Sequence, residues 1–151
     1  MLFRSEPRLA TLSAELLIET LDQLARGSLR PCPQDNHLAT VTEKLDRRMG
    51  RIDWTLPAAL LSRRCRALDP WPGLYCNFRG SRVKIHGLDA TSAPGDQPPG
   101  MVLAVAPEGI SVRCGNGSVA LLTELQREGK RRLPADAFIL GERVVAGEQF
   151  R

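Results

Sequence analysis

From Leu74 onward the chain is a series of short β-type runs punctuated by Gly, Pro and Asn, and this punctuation constrains its fold more than any other feature. The run 74–78 is followed by Arg79-Gly80 and then by 82–88, where Val83 and Ile85 alternate with Arg82, Lys84 and His86. Alternate residues of a strand point to opposite faces, so one face of this strand is apolar and the other basic. A loop rich in Pro and Gly over 93–100 leads to the run 101–105, a turn at Pro107-Glu108-Gly109, and the run 110–114 with Ile110 and Val112 alternating. Gly115-Asn116-Gly117 is a hairpin signal ahead of the run 118–125. Residues 134–140 predict a short helix stopped by Gly141, with a last extended piece around Val144-Val145. Several short strands at regular spacing indicate a small barrel or sandwich.

The first half of the chain is helical where it is periodic. Leu9, Leu12, Leu16, Leu17, Leu21 and Leu24 recur at three- and four-residue steps, which predicts an amphipathic helix over 9–25 with Pro7 in its first turn and Gly27 as its stop. Residues 28–50 hold no sustained period and read as a linker. A second helix begins where Thr55 can cap and Pro57 fits the first turn. It buries Leu61, Cys65 and Leu68 opposite Arg63 and Arg66, and ends at Asp69-Pro70. The fold class is therefore mainly β with flanking helices. No apolar run approaches the roughly 20 residues that cross a bilayer, and the opening residues lack the pattern of a secretory leader. A cytoplasmic chain without membrane partners is expected.

Charge and reactive side chains narrow the function. Cations and anions balance over 1–50, so the whole net charge of +4 lies in 51–151 and a polyanionic partner is permitted. Cys32, Cys65, Cys76 and Cys114 form no C-x-x-C pair, and only His37 and His86 could join them, so zinc spacing is missing and reduced thiols without a metal are expected. No set of side chains suits general acid–base or nucleophilic chemistry. Asp53 beside Trp54 could serve as a base, but a capping or solvated carboxylate is the commoner role before a helix. Trp54 and Trp71 could stack bases, although their apolar and proline neighbours favour packing. The cations fall into three groups: Lys44, Arg47, Arg48 and Arg51; Arg79, Arg82 and Lys84; and Lys130, Arg131 and Arg132. Alternation puts Arg82 and Lys84 on one face, and Gly129 lets the chain turn so that Lys130, Arg131 and Arg132 project together. Any one of these is as readily a solvated surface charge, whereas the last three as a group favour RNA phosphates.

Three stretches carry a family resemblance: Leu38-Ala39-Thr40-Val41-Thr42-Glu43-Lys44-Leu45, Arg51-Ile52-Asp53-Trp54-Thr55-Leu56-Pro57-Ala58-Ala59, and Arg66-Ala67-Leu68-Asp69-Pro70-Trp71-Pro72-Gly73. They resemble the junction region of methionyl-tRNA formyltransferase. Later signatures of that family follow in order: Arg82-Val83-Lys84-Ile85, Pro99-Gly100-Met101-Val102, Leu125-Gln126-Arg127-Glu128-Gly129-Lys130-Arg131, and the closing Gly141 and Gly147. The resemblance covers about residues 8–150 and matches only the C-terminal half or so of a family member.

It implies the last helix of an N-terminal formyltransferase domain over 1–33, a linker over 34–56, and a C-terminal domain over 57–151 that forms a small open Greek-key barrel similar to an oligonucleotide-binding fold. It also implies formyl transfer from 10-formyltetrahydrofolate to the amino group of methionine on initiator tRNA. The catalytic residues and the folate site belong to the N-terminal domain, so this chain alone is expected to bind no cofactor and to be inactive. Its partners would be initiator tRNA and a separately encoded N-terminal formyltransferase domain. The implied tRNA contacts are Lys44, Arg47, Arg51, Arg82, Lys84, Lys130, Arg131 and Arg132; Lys44, Lys130 and Arg131 match family positions, Arg47 stands where lysine is frequent, and Arg132 has no clear match. Val41 replaces a usual aromatic, and Glu43 brings negative charge into the linker. Residues 1–7 resemble nothing in the family, as expected of a truncated or frame-shifted reading frame or a misplaced start. The alternatives are the barrel module of a sugar-nucleotide formyltransferase or a formyltetrahydrofolate dehydrogenase, and an inert remnant.

Overall fold

The computed structural model describes residues 2–151, with side chains from Ser5 onward. Met1 and the side chains of residues 2–4, where a leader would begin, lie outside the described residues. The chain divides into two units, one running to Lys44 and the other spanning Leu45–Arg151.

In the first unit, α1 (Leu2–Ala25) carries the leucine stripe, and Leu9, Leu12, Leu16, Leu17, Leu21 and Leu24 are all exposed. Pro7 lies inside the helix instead of in its first turn. Gly27, at φ +67°, ends it as expected: the N–H of Ser28 reaches back to the Gln23 carbonyl at 3.0 Å, which satisfies a carbonyl the helix leaves open. Beyond it the segment is irregular except for a 3-10 turn at Asn36–Leu38, where Asp35 accepts the His37 N–H.

The second unit is the β domain. Its strands are β1 (Leu74–Phe78), β2 (Ser81–Ser92), β3 (Val102–Ala106), β4 (Gly109–Arg113), β5 (Ser118–Arg127) and β6 (Leu133–Pro134). All pair antiparallel in the order β1-β2-β5-β4-β3, with β6 beside the end of β5. Three hairpin-linked strands, β3 to β5, with β2 returning beside β5, make a Greek key. β2 runs four residues past Leu88 because β5 pairs with it as far as Ser92.

This open sheet leaves β1 and β3 as edges. The C-terminal segment joins them: Val102 and Gly147 to Glu148 exchange backbone bonds of 2.8 Å, Phe150 donates to the Gly100 carbonyl at 2.9 Å, and Arg151 donates to the Asn77 carbonyl at 2.8 Å. The last extended piece thus lies at 147–151 and not around Val144-Val145, because the two unpaired edges supply its partners there.

Apolar residues of the inner face fill the barrel. Leu61, Ile85, Ile110, Leu122, Leu125 and Phe138 are fully covered, each side chain contributing roughly 1.5–3 kcal/mol by leaving water. α2 (Ala58–Ala67) packs on β2 and β5 through Leu61 and Cys65, and α3 (Ala135–Glu142) covers β4 and β5. Two end signals differ from the sequence reading. α2 starts at Ala58 with Pro57 at the cap position, two residues beyond Thr55, whose hydroxyl donates to Asp53 at 2.6 Å; the first α2 amide, on Ala58, is capped by Ser118 Oγ at 2.9 Å. Gly141 continues α3, and Arg143, left-handed at φ +52°, ends it. Gly115 does more than shape a hairpin: its N–H donates to the carbonyls of Trp54 and Leu56, and a Cβ there would lie 1.7 Å from the Thr55 oxygen.

The four cysteines are free, and only Cys32 is exposed. Burial pushes the Cys65 and Cys114 thiols up to about 11 and Cys76 higher still. One buried charge stands out. Arg113, at the end of β4, donates to the carbonyls of Ala93, Pro94 and Gly117 and to Gln97 Oε1, at 2.7–3.1 Å, and so clamps the 93–100 loop.

Candidate functional site

The outward face of β1, β2 and β5 builds the site. Register aligns Tyr75, Lys84 and Gln126 in one row across the three strands, and a backbone bridge between Arg51 and Tyr75 extends the row by one residue. Val83 and Ile85 point into the core while Arg82 and Lys84 are exposed, so the basic face of β2 is as the alternation predicts. The Arg82 guanidinium lies over the Tyr75 ring, 4.6 Å from its centroid, an attraction between cation and ring quadrupole that holds the charge in place.

A short 3-10 turn, Arg47–Gly50, brings a further cation. Asp46 caps it by accepting the Arg48 and Met49 amides at 2.7 and 3.1 Å, and Arg64 from α2 donates to the Met49 carbonyl at 3.1 Å. The Asp46 carboxyl is held below its usual range by the Arg48 side chain first and the Met49 amide next. Gly50 is required at the end of this turn, because a Cβ would sit 2.2 Å from the Gly73 carbonyl oxygen and 3.3 Å from the Tyr75 ring. The turn is thereby pressed against β1, and Arg47 joins Trp71, Tyr75, Arg82, Lys84, Gln126, Arg127 and Glu128 around a cleft of about 520 Å³.

The structure sorts the cations that the sequence left equivalent. Arg79 pairs with Glu148 at 2.6 Å and donates to the Glu142 and Arg143 carbonyls at the end of α3, which ties β1 to the C-terminal segment. Arg127 pairs with Glu142 at 2.7 Å, Arg48 with Asp46 at 2.9 Å, and Arg132 with Glu124. Arg47, Arg51, Arg82, Lys84, Lys130 and Arg131 are exposed and, among the described residues, have no carboxylate partner. Arg47, Arg82 and Lys84 meet in the cleft and Arg51 extends its row. Lys130 and Arg131 follow the turn that rims it, where Gly129 (φ +72°) also lines the cleft. Arg132 departs from the group expected to project together, because its guanidinium is engaged by β5. Lys44 belongs to the first unit.

A polar chain fixes that turn. Gln126 Nε2 donates to the Lys130 carbonyl at 2.7 Å, and its Oε1 therefore accepts from His86 Nε2 at 2.9 Å. His86 is a supporting residue of the site that sequence reasoning placed on the basic face without a task. Asp53 accepts the Thr55 hydroxyl and amide, which depress its pKa in that order, and it closes a local turn instead of presenting a base. The two tryptophans separate: Trp54 is 5% exposed and packs near Phe150, as expected, whereas Trp71 is 51% exposed and lines the cleft. Packing was the favoured reading for both. Trp71 thus departs from the packing that its proline neighbours favour. Among the described residues there is no cluster of His, Cys, Asp and Glu able to hold a metal, and no helix long and apolar enough to cross a membrane.

Residues 44–143 match the family model described as formyl transferase, C-terminal domain. The methionyl-tRNA formyltransferase of Myxococcus xanthus is 41% identical over 143 residues, covering 95% of this chain and 45% of that protein. That of Roseiflexus sp. is 44% identical over 142 residues, covering 93% and 43%. The chain spans less than half the length of these relatives and matches their C-terminal part. Among solved structures, HypX from Aquifex aeolicus in complex with tetrahydrofolic acid is similar at a TM-score of 0.57 and 26% identity, covering 85% of this chain and 22% of that one.

Proposed function

This chain belongs to the formyl transferase C-terminal domain family, and from that premise we propose that it is the tRNA-engaging C-terminal part of a methionyl-tRNA formyltransferase. The observation that carries the reading is the gathering of carboxylate-free cations, Arg47, Arg82 and Lys84, in one cleft whose row continues to Arg51 and whose rim leads to Lys130 and Arg131. Cations already neutralised by glutamate gain little from a phosphate, whereas unpaired ones release condensed counterions when they meet it. Such contacts orient a nucleic acid without reading its sequence.

In this reading the chain makes no bond itself. It holds methionyl initiator tRNA by the backbone while the formyl group of 10-formyltetrahydrofolate is transferred by groups in the part of the relatives' length that this chain does not match. α1 and the residues to about 33 would be the end of that N-terminal domain, which makes a separately encoded formyltransferase domain the natural partner of the exposed leucines. Lys44 would contribute from the linker, and the setting is the cytoplasm.

The test is the salt dependence of binding to initiator tRNA. For Arg47→Ala/Arg82→Ala/Lys84→Ala the slope of log K against log salt should fall by about 0.7–0.9 for each phosphate left without its cation, roughly two to three in all. Arg79→Ala removes the same kind of charge from an ion pair with Glu148 and should leave the slope unchanged. An unchanged slope in the triple variant overturns the proposal. A second reading draws on the likeness to HypX: a module of another formyltransferase-type enzyme whose substrate is not RNA. It predicts no specific binding of tRNA by the intact chain at physiological salt.

A further inference from the structure

Trp71 is the feature of the cleft that phosphate contacts leave unexplained. An indole buries well over a hundred square ångströms when packed, and here half of its surface faces water beside three cations. Pro70 and Pro72 restrict the backbone on both sides, so the ring is presented by a stiff segment. Arg82 already lies on the Tyr75 ring, which leaves the indole as the open aromatic surface of the cleft. At about 520 Å³ the cleft falls within the roughly 300–1,000 Å³ of small-molecule sites, far more than a phosphate group fills.

Building on the RNA reading above, we infer that the cleft is a stacking subsite for one unpaired RNA nucleotide, with its base on the Trp71 indole and its phosphate among Arg47, Arg82 and Lys84. A paired base is inaccessible to such a surface, because both its faces are covered in the helix; an unstacked one gains an aromatic face and a neutralised phosphate together. The Gln126 amide is held in place by His86 and the Lys130 carbonyl. Every base offers an aromatic face, so stacking on Trp71 is tolerant of base identity and graded by stacking area, purines above pyrimidines.

The experiment is a fluorescence titration of the full chain with a single-stranded hexamer of adenylate and with an RNA duplex of equal charge whose end pairs are closed by non-aromatic linkers. Trp54 is buried, so quenching by the hexamer reports on Trp71. The hexamer should quench and the duplex should not. Trp71→Ala should weaken hexamer binding roughly 5- to 150-fold with its salt slope unchanged, and Trp71→Phe should recover most of that affinity. Arg82→Ala/Lys84→Ala should instead lower the slope. If Trp71→Ala binds the hexamer as tightly as the natural chain while the charge variant still flattens the slope for tRNA, the stacking subsite is wrong and the backbone reading stands. If the intact chain binds neither hexamer nor tRNA, both are wrong. An unfolding midpoint for each variant ensures that weaker binding is not a failure to fold.

Discussion

Arg113 offers the sharpest test of how the β domain is held. Arg113→Met keeps the buried stem and removes the guanidinium, whose four acceptors are the carbonyls of Ala93, Pro94 and Gly117 and the Gln97 amide oxygen. Hydrogen bonds to a charged group contribute roughly 1.5–3 kcal/mol each when removed singly, but the four share one desolvated cation whose burial itself costs several kcal/mol. Three of the acceptors sit on a largely exposed loop and the fourth, the Gly117 carbonyl, on an exposed turn, so all can turn to water and the destabilisation falls short of the roughly 3–5 kcal/mol of a broken buried ion pair. We expect about 2 kcal/mol, a factor of roughly 30 in the unfolding equilibrium. Urea unfolding followed by tryptophan emission should show a lower midpoint at unchanged slope, and limited proteolysis should cut the 93–100 loop faster. Arg113→Lys should not restore either, because one ammonium cannot span four acceptors. A change below about 0.5 kcal/mol with the loop still resistant would show that the clamp is incidental.

Four further outcomes follow from the packing. Gly50→Ala puts a methyl against the Gly73 carbonyl and must displace the turn that carries Arg47, so tRNA binding should weaken and its salt slope should drop by the share of about one phosphate. Ser118→Ala removes the cap of α2 and should cost about 1 kcal/mol, or roughly 4–8 °C in a thermal melt; no shift would mean that water replaces the cap. A thiol reagent at pH 8 should modify Cys32 alone in the folded chain and all four cysteines in denaturant. The folded Cys65 and Cys114 values lie above the unfolded value of 9.0, so their contribution to stability is complete below pH 9 and is lost as the pH rises through about 11. A pH titration of the urea midpoint that stays flat between 9 and 11 contradicts this.

Strand positions were legible in the sequence because the runs 82–88 and 110–114 alternate and each break between runs holds Gly or Pro. Val83 and Ile85 against Arg82 and Lys84 gave both the core face and the basic face of β2. Contacts between distant residues were not legible. Ser118 capping a helix sixty residues away, Gly115 lying on the Thr55 backbone, and the segment 147–151 joining both sheet edges are set by closure of the barrel, which no local window contains. The same holds for the site. Composition marks Arg79, Arg82 and Arg132 alike, and only the glutamates brought up by β5 and the C-terminal segment separate the neutralised from the free. Trp71 departs from its local signal: adjacent prolines restrict the backbone, but the exposure of the ring is set by what the rest of the fold brings over it. Thr55 does not cap α2 because the helix starts three residues later, at Ala58, with Pro57 in the cap position.

A footprint of initiator tRNA on the folded chain tests the cationic face most directly, by amide chemical-shift changes at low salt and at 0.2 M salt. Shifts should gather at Arg47 to Arg51, Trp71, Tyr75, 82–86 and 126–131, and weaken together as salt rises, while Val105, Ile139 and Leu140 on the far side stay unmoved. Shifts centred on Val105, Ile139 and Leu140, or a spectrum that tRNA leaves unchanged, would contradict the account.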